Sequence, residues 1–556
     1  MGTAMDRRSF LGLAALGSLA AGAGLAGCAP QQSATATAQA NATEADAAAG
    51  ATGTSIPRKE GSKQQSCDVV VVGAGAAGLM AALKLAEAGK SVIVVEKAPS
   101  AAMSNFSMCG GPAACETKLQ EQEGETVTLD TLFTYMYDFS RTSVSGALLR
   151  RCLAGTSDAL NSMIDLGIPM SLWPDVYGNG FRARHYLETG GEERVAPLVS
   201  AIEAAGGTFL YSTGGEKIIM EDGAVKGLQT DKGIDIMAPN VVVATGGFLG
   251  GEDMQMQVFN TRVFSLGNSL SDGTGIAMVL DAGGALDRNF AVLGNECGAV
   301  SAATSSSPFT EDYHNLNEHY GYWLFGGLYT DTAGERFINE ERIAELPLAI
   351  GGEALIRAGK AYVIMDSDYY EAVKGDGIYA YLGEPESWVA GPEADYYKTT
   401  PENADKHLQE AIDEGWALKA DTIAELAEKF SLDALEQTVE TYNAACASGV
   451  DEEFGKSAPF LKPVKTAPFY IFEYVPSAWG TNGGAKVDSH LRAMDTNNKP
   501  IPGLYVAGRR SGQRLQRAVL HEPGRLGGPR PRLGRARCER NREVPRITPP
   551  ESPSDP

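Results

Sequence analysis

The stretch CDVVVVGAGAAGLMAALKLAEAGKSVIVVEK, residues 67–97, decides the fold of this chain. Val69–Val72 is an unbroken apolar run, the pattern of a strand buried on both faces. Gly73, Gly75 and Gly78 then form G-x-G-x-x-G with Ala76 and Ala77 between them, and a helical pattern follows. The first glycine permits a tight turn and the second lets backbone approach a pyrophosphate. The third lets helix and strand pack closely. The helix N-terminus faces the phosphates with unpaired N–H groups. A second apolar strand ends at Glu96 and Lys97, where a carboxylate can bind a ribose hydroxyl pair. Strand, turn, helix, strand and acid together predict a Rossmann-like, dinucleotide-binding α/β domain.

Three further stretches extend this reading outward. GGEERVAPLVSAIEAAGGTFLYSTGGEKIIMEDGAVKGLQT (190–230) predicts a helix followed by strands, with an adenine-side contact at Ile218. APNVVVATGGF (238–248) is a buried strand ending at Ala244, Thr245 and Gly246, backbone able to approach a cofactor. IPGLYVAG (501–508) is another such strand, ending at Gly508. In this order the motifs resemble the FAD-dependent fumarate reductase and succinate dehydrogenase flavoprotein superfamily, with 3-ketosteroid dehydrogenases as relatives. The resemblance covers roughly residues 66–508 and implies FAD as the cofactor. It implies a GR2-type FAD-binding domain with an inserted α+β capping domain. The expected boundaries are 66–295 for the first part of the FAD domain, 296–465 for the cap and 466–508 for the return.

The resemblance carries over residue by residue. MSNFSMCGG (103–111) matches the loop that wraps pyrophosphate and flavin, through Ser104, Asn105, Gly110 and Gly111. RARHYLETGG (182–191) resembles an Arg-x-His…Gly-Gly stretch, and SDGTGIAMVLDAGGAL (271–286) makes Asp272 a cofactor-side contact. SAWGTNGG (477–484) matches a Thr-x-Gly-Gly segment at Gly483 and Gly484. It departs from the fumarate enzymes by placing Trp479 and Gly480 where a histidine pair stands. GERFINEERIAEL (334–346) resembles Gly-x-Arg-Phe-x-Asn-Glu, but the proton-donating arginine expected eight residues past Arg336 is Ala344. Arg342 falls two residues early, and the upstream region offers His319, Tyr320 and Tyr322. These four are the candidate proton donors.

The expected activity is hydride transfer from flavin N5 to an activated C=C bond, on a substrate larger or more aromatic than fumarate. The alternatives are a 3-ketosteroid-type dehydrogenase or an inactive flavoprotein. No metal site is readable from the eight cysteines at positions 28, 67, 109, 115, 152, 297, 446 and 538, since no CxxC occurs. A Cys109–Cys115 disulfide stays open at this point. No haem-attachment motif or second G-x-G-x-x-G is readable either, so a membrane cytochrome or quinol-linked donor is the expected partner.

The two ends read differently from the body. MDRRSFLGLAALGSLAAGAGLAGC (5–28) resembles a twin-arginine export signal ending in a lipobox, with Cys28 as the lipidated residue. Residues 1–28 are therefore the expected signal and 29–65 a disordered tether, placing the protein outside the cytoplasm and anchored by lipid alone. Residues 1–508 carry 35 basic and 65 acidic side chains, which argues against nucleic acid as a partner. From Arg509 onward there are 12 Arg, no Lys and 5 acids. The related flavoproteins instead continue past this strand with an acid, Gly-Asn, Gly-Gly-Ser and Gly-x-Ala-Leu. Codons permitted for GRRSGQRLQRAVLHEPGRLGGPRPRLG (508–534), read with one base removed after Gly508, allow GEEAGNAYSAQYYMNPGGSVGLALDLG. That string holds all four features in place, so residues 509–556 read as a frame-shifted tail. The rival reading is a basic tail for an anionic partner.

Overall fold

Val69–Val72 and Val92–Val95 lie side by side, and all eight residues are buried. Alternate side chains leave a strand on opposite faces. Val69, Val71, Val92 and Val94 pack against Leu79, Ala82 and Leu83 of the helix Ala76–Glu87 and Val195, Leu198 and Ile202 of the helix Gly191–Ala204. Val70, Val72, Ile93 and Val95 face the other way, onto Ile218, Val225, Leu228 and Ile236 of a second sheet and Met278 and Val279 of the helix Thr274–Asp281. Each such side chain contributes about 1.5–3 kcal/mol of apolar burial, and the outcome is three layers around one sheet.

The structure is a computed structural model. It describes residues 63–508 apart from 141, 143, 176–179, 266, 288–290, 294–296, 300–326, 346–351 and 376–400. The main sheet runs in the order Arg492–Met494, Pro500–Val506, Asn240–Val243, Val69–Val72, Val92–Val95, Thr208–Leu210. Its inner pairs are all parallel, and only the edge strand Arg492–Met494 is antiparallel. The second sheet runs Lys63–Ser66, Ile234–Met237, Ala224–Thr230, Gly215–Glu221. Lys63–Gln65 are thus strand residues, although the sequence places them in the tether.

A further sheet is built on Phe469–Ala478, all ten residues of which are buried. It pairs with Ala361–Met365, Ala417–Ala420, Cys297–Ala299 and Phe264–Ser265. The expected boundary at 465 therefore falls too early. Both faces of this strand are needed by hydrophobic clusters of that region, one around Tyr370, Tyr470 and Phe472 and one around Leu426, Leu435 and Ile471.

A buried ion cluster fixes the GERFINEER segment here. Arg336 donates to both carboxylate oxygens of Glu340 (3.1 and 2.9 Å) and of Asp451 (3.0 and 3.0 Å). Burial works against ionisation of Asp451, but Arg336 outweighs it and holds that carboxyl down at about 2. Lys456, fully enclosed, donates to the Tyr442 hydroxyl and lies 3.5 Å from Glu340.

Candidate functional site

Parallel strands end together, and ligands bind at that edge. Here Val72, Val243 and Val506 finish side by side. Gly73 N donates to Val95 O (2.7 Å), Ala244 N to Val72 O (2.8 Å) and Ala507 N to Val243 O (3.0 Å). A cavity of about 1410 Å³ opens over this edge. Pockets for drug-sized ligands run to roughly 1,000 Å³, so a whole dinucleotide has room.

The turn between strand and helix shows what each glycine is for. Gly73 has φ +103°, and a Cβ there would lie 2.6 Å from Ala244 O. A Cβ on Gly78 would lie 1.9 Å from Gly73 O. Both glycines are required by the protein itself. Gly75 is different: its φ of −77° suits any residue, and the nearest atom to its Cβ would be Ser104 Cβ at 4.0 Å. The space over Gly75 is left for something else. The helix Ala76–Glu87 has no side-chain cap, so its first N–H groups face the cavity.

At one end of the cavity Glu96 accepts from Ala74 N (2.6 Å) and Ala98 N (2.7 Å). Burial raises its proton affinity despite those amides. Lys97 reaches Asp272 at 2.6 Å, and Asp272 also accepts from the Thr274 hydroxyl at 2.6 Å. Burial pushes the Asp272 carboxyl up, but Lys97 and Thr274 together hold it below the ordinary range. Gly214, Gly215 and Glu216 complete this end.

The loop Ser104–Gly111 forms the other end. Asn105 Nδ2 donates to Trp479 O (2.6 Å), and its Oδ1 accepts from Asn268 N (2.5 Å). Arg194 is buried and Nη1 donates to Phe106 O (2.6 Å) and Cys109 O (2.7 Å), Nη2 to Leu187 O (3.1 Å). One guanidinium thus ties the loop to the RARHYLETGG segment. Gly111 has φ +131°, and a Cβ there would lie 1.7 Å from His185 O. His185 itself is fully buried, with Nδ1 donating to Ala183 O (2.9 Å) and Nε2 facing Thr117 Oγ1 (2.7 Å). Burial pushes its pKa down to about 4, so the ring is neutral. Cys109 and Cys115 are not bridged; their thiols lie against Phe106 O and Leu153 O.

The cavity lining brings together Gly73, Gly75, Ala76, Ala77, Glu96, Lys97, Ser104, Asn105, Gly111, Ala244, Thr245, Gly246, Asp272 and Gly508. Gly78 sits beneath, against Gly73. Gly110 braces the loop by accepting from Leu187 N, and Gly483 and Gly484 lie beyond the lining with φ +95° and +140°. Ile218 does not reach the cavity: it is buried between the two sheets, opposite Leu228. Arg342 is exposed on the helix Glu340–Glu345 and is not part of the lining. His319, Tyr320 and Tyr322 lie outside the described residues. Sequence reasoning missed Arg194 and Asn268; an arginine a few residues into the helix after Gly-Gly was the available signal for the first.

The residues present fit FAD. The vacant volume over Gly75 suits a pyrophosphate, and two buried hydroxyls at the cavity wall, Ser104 Oγ and Thr245 Oγ1, have no hydrogen-bond partner within the protein. The comparisons with known proteins agree. The chain is 29% identical over 479 residues to vinyl phenol reductase of Lactiplantibacillus plantarum, across 80% of this chain and 90% of that one. It is 25% identical to NADH:fumarate oxidoreductase of Klebsiella pneumoniae, across 84% of this chain but 46% of that longer protein. In fold it resembles the crystal structure of 3-ketosteroid Δ1-dehydrogenase from Sterolibacterium denitrificans, with TM-score 0.62 and 19% identity over 83% of this chain and 96% of that one. The model of the FAD binding domain family matches residues 68–519. With its glycine turn, its dinucleotide-sized cavity and that match, the chain belongs to the FAD binding domain family, is an oxidoreductase, and takes FAD as its cofactor.

Proposed function

We propose that this chain reduces an activated C=C bond in an aromatic or otherwise bulky substrate. Trp479 carries the reading. It lines the cofactor cavity and also packs against the hydrophobic cluster of the sheet built on Phe469–Ala478. A large apolar wall therefore stands at the seam where a substrate meets the cofactor, at a position where fumarate enzymes need cationic or hydrogen-bonding groups for two carboxylates. The likeness to a vinyl phenol reductase supports an aryl-substituted alkene.

FAD, when bound, supplies the hydride. The chain's own residues hold the cofactor, shield the reacting carbon with Trp479, and deliver a proton to the neighbouring carbon. Tyr320, Tyr322 and His319 are the proposed donors, with Arg342 behind them because it is exposed and outside the cavity lining. We further propose export by the twin-arginine route, lipidation at Cys28, and electrons from a membrane cytochrome or quinol-linked partner.

The test is dye-linked turnover. The full chain, supplied with FAD and a reduced viologen, should oxidise the dye on 4-vinylphenol or an aryl acrylate and be slow on fumarate. Full-rate turnover of fumarate without activity on aryl alkenes would overturn the reading. Acceptor-driven desaturation of a 3-ketosteroid, without alkene reduction, would establish the dehydrogenase instead.

A further inference from the structure

Arg194 is a buried cation without an anion. It is 3% exposed, and its guanidinium donates to the carbonyls of Phe106, Cys109 and Leu187, with the Cys109 thiol 3.7 Å from Nη1. The titratable groups that act on it are the Cys109 thiol and the Tyr186 phenol, and no carboxylate is among them. Arg336 shows the usual arrangement in the same chain: it is also buried, but it is flanked by the carboxylates of Glu340 and Asp451. An uncompensated buried charge destabilises a fold, and arginine does not shed its proton to escape that cost.

The guanidinium stands directly behind the cavity wall. Its three acceptors, Phe106, Cys109 and Leu187, all line the cavity, and so does Leu198, one turn further along the same helix. They lie at the end formed by the loop Ser104–Gly111, which Asn105 ties to Trp479. The opposite end, with Glu96, Lys97 and Asp272, is the ribose side, and the glycine turn between the two ends faces the pyrophosphate. The flavin half of FAD therefore belongs to the Arg194 side. The charge of the wall itself works the other way: among the described lining residues, seven carboxylates stand against one cation, Lys97. Uptake of two electrons from the reduced donor and one proton, the proton going to N5, leaves a flavin anionic along N1 and the C2 carbonyl. Positive charge near that edge favours the reduced form.

We propose that Arg194 is a positioning residue for the redox step: from behind the wall it holds the flavin-side loop, and its charge favours the reduced, anionic flavin over the oxidised one. It acts without touching the cofactor. This rests on FAD as the cofactor and not on which alkene is reduced, so a holoenzyme that reduces no alkene leaves it standing. A charge felt across about 10 Å of protein interior shifts a charged equilibrium about tenfold, which is about 30 mV for a two-electron couple. The test is a dithionite titration of the FAD-loaded full chain against a reference dye. Arg194→Gln should lower the flavin potential by about 30 mV. Arg194→Lys keeps the charge and loses the forked contacts, so its potential should stay within about twofold, or about 10 mV, of wild type. An unchanged potential in Arg194→Gln, whatever its melting temperature, would make Arg194 a structural tie and overturn the proposal. A fall in Arg194→Lys as large as in Arg194→Gln would place the effect on loop geometry and overturn it too. The wild-type chain gives a measurement that needs no variant. Its potential should fall by about 30 mV per pH unit between about pH 5.5 and about pH 7, one proton for two electrons. A slope of about 60 mV, two protons for two electrons, means a neutral reduced flavin and overturns the proposal as well.

Discussion

Alanine at Gly75 and alanine at Gly78 should have opposite consequences, although both destroy the same motif. At Gly78 the new Cβ would lie 1.9 Å from Gly73 O and 3.0 Å from Gly73 C, backbone atoms that cannot rotate away. Helix and strand must separate by about 1 Å to reach any tolerated contact. Overpacking of this kind costs about 1–3 kcal/mol, and rigid backbone on both sides puts Gly78→Ala at the upper end. At about 2–4 °C per kcal/mol for a domain of this size, melting without FAD should drop by about 6–12 °C. At Gly75 the Cβ meets nothing nearer than 4.0 Å. Gly75→Ala should therefore melt within about 1–2 °C of wild type without cofactor, the range of a neutral surface change. Its defect appears only with FAD. At a hundredfold excess over Kd, FAD adds about 2.7 kcal/mol to wild type, and Gly75→Ala should lose most of that gain. Differential scanning fluorimetry with and without added FAD measures all four states. A Gly75→Ala chain stabilised by FAD as well as wild type would refute the assignment of the space over Gly75 to the cofactor. An undisturbed Gly78→Ala chain would refute the packing argument.

Other perturbations follow from the same geometry. Arg336→Met leaves the Glu340 and Asp451 carboxylates buried with only Lys456 near Glu340, so it should cost about 3–5 kcal/mol in urea unfolding; a cost under 1 kcal/mol would mean the cluster is solvated. His185 is held neutral with its pKa down at about 4, against an ordinary value of about 6.5. The unfolded chain therefore takes up a proton that the native chain refuses, and stability is lost as pH falls from about 6.5 to about 4, by about 3 kcal/mol in all. His185→Gln should flatten that part of the stability–pH curve, and an unchanged slope would place the loss on another group. Tyr320→Phe and Tyr322→Phe separate the proposed donors: the true one should lower kcat by about 10²–10⁴ at unchanged FAD content, and full activity in both would leave His319. Finally, a chain carrying the restored frame after Gly508 should retain more FAD through gel filtration than the present one; equal retention would count against the frame shift.

Signals confined to one turn were legible in the sequence, and signals set by pairing were not. The Gly73–Gly78 turn announces itself by glycine spacing within six residues, even though Gly73 is also required by the distant Ala244, and Glu96 follows from the length of one helix and one strand. Ile218 was misplaced because the strand Gly215–Glu221 carries a register shift between Gly215 and Lys217. One irregular residue moves every later side chain to the other face, so Gly215 and Glu216 line the cavity while Ile218 enters the core. The ten-residue strand Phe469–Ala478 was assigned to the cofactor domain because its partners lie up to about two hundred residues away. No local pattern distinguishes the two sheets. Arg194 was passed over because its three acceptors, Phe106, Cys109 and Leu187, are backbone carbonyls that no side-chain motif announces.

The position of Pro500–Val506 has a consequence in time. This strand lies inside the main sheet, between Asn240–Val243 and the edge strand, so the sheet cannot close until nearly all of the chain has been synthesised. Pairings of such long separation in sequence form late and slowly. Assembly of the three-layered core thus waits for Val506, and the sequence changes character only at Arg509. Any lesion beyond Gly508 arrives after the last of the described strands has been laid down. Surveillance that senses an open main sheet would find that sheet already paired, and a chain that holds its cofactor poorly can still accumulate with the sheet formed.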